Sequence, residues 1–273
     1  MDIHIQETFK KITIAGPCAL ESRAQIIQCV EELKKLGVEV VRACLWKPRT
    51  VPGWEGLGFL GLPMLLEETL SRDVTPASEI MTPIHAQMCV DALKHFGDKG
   101  RMIVWIGARN QNHFEIHRMA HILAEGPPSL LLMFKNQVWL DKKHWYGIYQ
   151  HIIHAGFPQE RLLSCHRGFH PHRSENPLQL RNLPEYEMAM ELKESMGIPM
   201  LLDPSHIAGA RDKVFQVVEE SFHYDFDGYM IEVHHDIDQA KTDVNQQLTF
   251  DQLGKLLEMI KANEESLKHK LVA

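Results

Sequence analysis

The chain has 273 residues, of which 44% are hydrophobic, and a formal net charge of −7. That is enough to bury one large core, and the acidic balance argues against nucleic acid or an anionic membrane surface as the main partner. No apolar run approaches the roughly 18 residues needed to cross a bilayer, and Met1 to Lys11 lacks the apolar centre of a signal peptide. Five cysteines, at positions 18, 29, 44, 89 and 165, form no paired framework. An odd count suits a reducing compartment, so a cytoplasmic protein is expected.

Short apolar runs alternate with longer amphipathic stretches. The predicted strands are Ile12–Gly16, Val38–Arg42, Val74–Ile80, Met102–Gly107, Ser129–Lys135, Arg161–His166, Ile198–Asp203 and Gly228–Val233. Pro76 makes the third the weakest. Helical spacing fills the intervals, as in Ile26, Val30, Leu33 and Leu36, or Leu253, Leu256, Leu257 and Ile260 near the end. Eight such units predict a single (β/α)₈ barrel, which typically needs about 250 residues. An open doubly wound sheet usually shows a glycine-rich phosphate turn after its first strand, and Gly16-Pro17-Cys18 stands there instead. Residues 1–11 read as a short leading segment, 12–262 as the barrel and 263–273 as a fraying tail. His170–Asn182 reads as a long loop.

A barrel of this kind builds its site at the C-terminal ends of the strands. Those ends carry Cys18, Arg42 with Lys47 and Arg49, Glu79, Arg109, Lys135, Arg167, His206, and Glu232 with Asp243. Cys18, His206, Glu232 and Asp243 follow strands one, seven and eight, and strands one and eight adjoin on closure. A thiolate, an imidazole and two carboxylates at one place suit Mn²⁺, Fe²⁺ or Zn²⁺ better than Mg²⁺ or Ca²⁺. Against this stand the blander readings, a cysteine as a small core residue and a histidine as a mere hydrogen-bond partner. A second metal site at His234-His235, or at His166, His170 and His172, is not expected. The cations Lys47, Arg109, Lys135 and Arg167 are far apart in sequence and meet only at the mouth, where they repel one another unless anions occupy it. Arginine forks suit phosphate and carboxylate.

The motifs Ala15-Gly16-Pro17-Cys18-Ala19-Leu20-Glu21-Ser22, Lys47-Pro48-Arg49-Thr50, Ile106-Gly107-Ala108-Arg109-Asn110, Asp203-Pro204-Ser205-His206 and Ile231-Glu232-Val233-His234 resemble the 3-deoxy-7-phosphoheptulonate (DAHP) synthase family, in family order and spacing. The resemblance runs from about residue 12 to 262. It implies condensation of phosphoenolpyruvate with erythrose 4-phosphate, with release of phosphate, as the first step of the shikimate pathway. It implies one divalent metal on Cys18, His206, Glu232 and Asp243. Phosphoenolpyruvate ligands map onto Arg42, Lys47, Arg109, Lys135 and Arg167, and aldose-phosphate ligands onto Arg49 and Thr50. Lys47, Lys135 and His206 are the expected catalytic residues, while Lys135, Glu79 and a metal-bound water all stay open as activators of the attacking water. The alternatives are an octulosonate-phosphate synthase taking arabinose 5-phosphate, from which the Lys-Pro-Arg-Thr motif separates this chain, and a silent regulatory paralogue.

Three departures from the family pattern stand out. His166-Arg167-Gly168-Phe169 has no acidic residue before its arginine and resembles the branch fused to a chorismate mutase, so His166 is a candidate replacement for the carboxylate and a separate mutase a candidate partner. Val51-Pro52-Gly53-Trp54-Glu55-Gly56 mixes patterns of different branches. Ile207-Ala208-Gly209-Ala210 lacks an arginine after the glycine, although Arg211 is adjacent. A homo-dimer or homo-tetramer is expected, with no nucleic-acid or membrane partner. About eleven residues at each end leave little room for an effector domain, so insensitivity to aromatic amino acids, chorismate and prephenate is expected.

Overall fold

Eight short strands pair in chain order into one closed, all-parallel barrel. They are β1 (Ile12–Gly16), β2 (Val40–Arg42), β3 (Thr75–Ile80), β4 (Met102–Ile106), β5 (Leu130–Lys135), β6 (Leu162–His166), β7 (Met200–Leu202) and β8 (Gly228–Glu232). The structure, a computed structural model, describes residues 11–47 and 52–272. Each predicted strand is present, shortened by at most two residues at either end. The barrel closes where β1 meets β8, in register from Ile12 opposite Gly228 to Gly16 opposite Glu232. β3 runs straight through Pro76, which pairs with Val41. Proline lacks a donor, but it stands second in the strand, and Thr75 N–H already bonds to Glu39 C=O at 2.9 Å.

The helices α1 (Arg23–Lys35), α2 (Gly61–Leu70), α3 (Pro83–Lys94), α4 (His113–Ala124), α5 (Lys142–His154) and α6 (Tyr186–Met196) each follow a strand. Two short helices, α7 (Pro204–Ala208) and α8 (Val214–Ser221), follow β7, and α9 (Phe250–Val272) follows β8. Side-chain caps start several of them: Ser22 Oγ accepts from Gln25 N–H at 3.1 Å, and Asp203 Oδ1 accepts from His206 N–H at 3.0 Å ahead of Pro204. α9 continues past Ala262, so the segment read as a fraying tail is helical. Beyond Gly254 it contains neither glycine nor proline, and Lys261 pairs with Glu265 across one turn at 3.9 Å. The span 170–182 is a loop, closed at its base by a bridge between Phe169 and Leu183. No helix among the described residues is long and apolar enough to cross a membrane.

Both faces of every strand are buried, as expected where helices cover a parallel sheet. Alternate residues divide between two cores. Ile14, Val40, Ile103, Trp105, Met133, Cys165 and Met230 point into the barrel, while Val41, Val104, Leu132, Leu162 and Ile231 pack against helices. This parity sends Arg42, Lys135 and Glu232 inward at the strand ends and sends His166 outward.

Gly16 ends β1 with φ +149°, and a Cβ there would lie 2.1 Å from the backbone oxygen of Arg42. The close approach of β1 to β2 sets Cys18 beside Arg42. Gly16→Ala is therefore expected to cost about 3 kcal/mol, the upper range for overpacking against an immovable neighbour. Urea unfolding measures it, and an unchanged midpoint with an unchanged slope would contradict the packing described.

Candidate active site

An open-mouthed cavity lies at the C-terminal ends of the strands. Its wall includes five of the predicted cations, Arg42, Lys47, Arg109, Lys135 and Arg167, together with Arg181 from the loop after β6. The predicted ligands Arg49 and Thr50 lie outside the described residues. Six cations thus gather at one mouth of a chain with net charge −7.

Buried acceptors hold these cations in place. Arg42 is 1% exposed, with Nη2 at 3.0 Å from Glu232 Oε1 and 3.3 Å from the Cys18 carbonyl. Its Nε and Nη1 have no hydrogen-bond partner. Lys135 Nζ lies 2.5 Å from Asp203 Oδ2. Burial opposes the charge on both, but Glu232 and Asp203 outweigh it and raise both pKa values. Arg167 Nη1 donates to Asn182 Oδ1 at 2.8 Å and to the Gly168 carbonyl at 3.2 Å, and Asn136 Oδ1 accepts its backbone N–H at 2.7 Å. Burial pulls the Arg167 guanidinium down to about 10, with neighbouring Arg181 and Arg109 adding to the effect. Glu79 also lines the wall, and its carboxylate packs close over Gly107, where a Cβ would come within 1.9 Å of Oε1 and push the carboxylate aside.

Beside the cavity, Cys18, Glu232 and Asp243 offer ligand atoms that lie within 4.8 Å of one another. Cys18 Sγ is 2.9 Å from Asp243 Oδ2, and the Lys47 ammonium bridges them at 2.7 Å and 3.0 Å. His206 sits at the edge of this group, with Nε2 at 4.0 Å from Glu232 Oε1 and Nδ1 at 2.9 Å from Asp203 Oδ2. Burial alone would raise the Asp203 carboxyl; His206 and Lys135 hold it well below the usual carboxylate range. Asp203 Oδ2 beside His206 Nδ1 is the placement from which a carboxylate orients an imidazole ligand. Burial pushes the Cys18 thiol well up, helped by Glu232 and opposed by Lys47. Gln246 donates to Glu232 Oε2 at 2.6 Å, and Gln247 Oε1 accepts the Cys18 N–H at 3.0 Å. Asp243 adopts φ +49°, a conformation few non-glycine residues tolerate, and Arg211 braces its loop through the carbonyls of Val244 and Gln247. A thiol, an imidazole and two carboxylates with outer partners already in place fit a borderline divalent ion.

His166 does not take the place of a missing carboxylate. It faces away from the cavity, 0% exposed, stacked on Trp145 at 5.5 Å, and its Nε2 accepts the Glu185 N–H at 3.0 Å. His170 lines the cavity, His172 pairs with Glu185, and His234 bonds to Gln25 and to the Asp236 N–H. Three residues went unassigned in the sequence: Trp105, Asp203 and Arg181. A tryptophan inside Ile103-Val104-Trp105-Ile106 reads as core, an aspartate before proline reads as a cap, and Arg181 comes from a loop whose return path no periodicity foretells.

A family model described as the DAHP synthetase I family matches residues 2–269. A phospho-2-dehydro-3-deoxyheptonate aldolase of Thermotoga maritima is 27% identical over 255 residues, spanning 93% of this chain and 70% of that protein. A crystal structure of a phospho-2-dehydro-3-deoxyheptonate aldolase (DAHP synthase) from the same organism superposes with a TM-score of 0.79 at 26% identity, covering 94% of this chain and 70% of that one. A truncated form of 3-deoxy-D-arabino-heptulosonate 7-phosphate synthase, also from Thermotoga maritima, gives 0.77 at 22% identity over 94% of this chain and 87% of that one, a likeness of fold.

Burial, with Arg167 beside it, lowers His166 from 6.5 to about 3. Between those values the unfolded chain binds a proton that the folded chain refuses, so this contribution is complete above pH 6.5 and is lost as pH falls toward 3, at up to about 1.4 kcal/mol per pH unit. In His166→Gln, whose amide oxygen can still accept the Glu185 N–H, stability between pH 6 and about 4 should fall less steeply by that amount. Urea unfolding across pH decides it, and equal slopes would show that His166 titrates normally.

Proposed function

The chain belongs to the DAHP synthetase I family, and from that premise we propose that it is a metal-dependent synthase that condenses phosphoenolpyruvate with erythrose 4-phosphate and releases phosphate. The observation that carries the reading is the junction of two features: a cavity walled by six cations, and the Cys18, Glu232 and Asp243 group on its rim. Two phosphorylated anions need such a concentration of charge, and fixing them side by side is the larger part of the catalytic task.

In this reading Arg42, Lys135, Arg167 and Arg109 bind the phosphate and carboxylate of phosphoenolpyruvate, with Arg49 and Thr50 on the aldose phosphate. Cys18, His206, Glu232 and Asp243 would hold one Mn²⁺, Fe²⁺ or Zn²⁺, which when bound supplies a Lewis acid for the aldehyde oxygen. C3 of phosphoenolpyruvate attacks the aldehyde carbon. Lys47, kept charged by the ionised Asp243 against its burial, stabilises the negative charge that develops on the aldehyde oxygen. Water then adds at C2, and phosphate leaves by C–O cleavage. Lys135 is kept protonated by Asp203 and cannot accept the water's proton, so the carboxylate of Glu79 on the cavity wall is the better base. A cytoplasmic homo-oligomer belongs to the same proposal, its compartment resting on the five free cysteines, and a separate chorismate mutase is its partner on the strength of the His166-Arg167-Gly168-Phe169 resemblance.

A chelator should abolish phosphate release, and Mn²⁺ should restore it. Cys18→Ser should weaken metal binding by more than the ~10–100-fold that outer-shell changes cost, because a hydroxyl replaces a thiolate ligand. Metal content and initial rate together test this, and full activity in chelator would exclude the metal. Offered both sugars, the enzyme should show the higher kcat/KM for erythrose 4-phosphate. A preference for arabinose 5-phosphate would replace this reading with an octulosonate-phosphate synthase.

A further inference from the structure

Trp105 is 1% exposed and sits in β4, in register between Glu79 of β3 and Met133 of β5. Among the described residues it is the only phenylalanine, tyrosine or tryptophan on the cavity wall. Two cations share its ring. The Arg42 guanidinium carbon lies 5.0 Å from the ring centroid, and Lys135 Nζ lies 5.5 Å from it. The two cations come from β2 and β5, so neither strand alone fixes their separation.

Each already has one carboxylate, Glu232 for Arg42 and Asp203 for Lys135. A third carboxylate between them would fix both but cancel the charge that an anion needs. An indole attracts cations through its ring quadrupole and carries no net charge. It also leaves hydrogen-bond donors unspent: Arg42 Nε and Nη1 are buried and have no partner. Buried donors in that condition are costly unless a ligand completes them. An aliphatic side chain would fill the same space without the attraction.

We propose that Trp105 is the positioning residue of the phosphoenolpyruvate site, its ring holding Arg42 and Lys135 side by side while their charge stays available to the substrate. The proposal rests on the synthase reading above. Trp105 acts through the two cations, so its loss should appear first in phosphoenolpyruvate affinity and leave the aldose KM unchanged.

The test is calorimetric titration of phosphoenolpyruvate, in Mn²⁺ and without aldose, into the wild type, Trp105→Phe and Trp105→Leu, each first shown to unfold cooperatively. Trp105→Leu should bind about tenfold more weakly, equivalent to about 1.4 kcal/mol, with Trp105→Phe between it and the wild type. Phenylalanine is the gentler change and decides the matter should leucine prevent folding. The wild-type minus Trp105→Phe emission spectrum isolates this indole and should change as phosphoenolpyruvate is added. Unchanged affinity in folded variants, or a difference spectrum indifferent to the ligand, overturns the proposal while leaving the synthase reading intact. A wild type that does not bind phosphoenolpyruvate overturns both.

Discussion

Arg42 and Lys135 are carried below the barrel mouth, where desolvation costs several kcal/mol per ion unless a partner repays it. Glu232 and Asp203 are those partners, and neither serves one cation alone. Glu232 pairs with Arg42 and belongs to the group with Cys18 and Asp243. Asp203 pairs with Lys135, approaches His206 Nδ1 and caps α7. The cation-rich wall and the group of Cys18, Glu232 and Asp243 are therefore one electrostatic unit. Removing either carboxylate would strand a buried cation and disturb the neighbouring ligand set together.

The rest of the fold brings these charges to their places. The parity of each strand decides what faces inward, and the last inward position of several strands carries the site: Arg42, Glu79, Lys135 and Glu232. Gly16 and Gly107 permit backbone or carboxylate to approach where a Cβ would collide. Amide side chains complete the second layer. Asn136 and Asn182 hold the Arg167 segment, while Gln246 and Gln247 tie the loop after β8 back to Glu232 and Cys18.

Much of this was legible in the sequence because a parallel barrel writes its strands as short apolar runs and ends them on chemistry. Arg42, Lys135 and Glu232 stand where such runs stop. What stayed hidden depends on facing and closure. His166 also ends a strand, but it has the outward parity of Ser164 and meets Trp145 instead of the cavity. Trp105 looks like core because its neighbours in sequence are core, and only the register across β2 to β5 sets it beneath two cations. Arg181 reaches the mouth over Gly209, a contact between distant loops that no local spacing encodes. The helical end of α9 departs from the expected fraying tail because no glycine or proline interrupts the chain beyond Gly254.

Cations crowded at one mouth repel one another unless an anion completes them, and the substrate anion should do so. A ligand that binds only the folded protein raises its stability by mass action. The most direct measurement is therefore the unfolding midpoint in phosphoenolpyruvate compared with chloride at matched ionic strength. A rise that grows with phosphoenolpyruvate concentration and is absent in chloride is the predicted result. Equal midpoints in the two salts at every concentration would show that phosphoenolpyruvate does not complete the cations at the mouth.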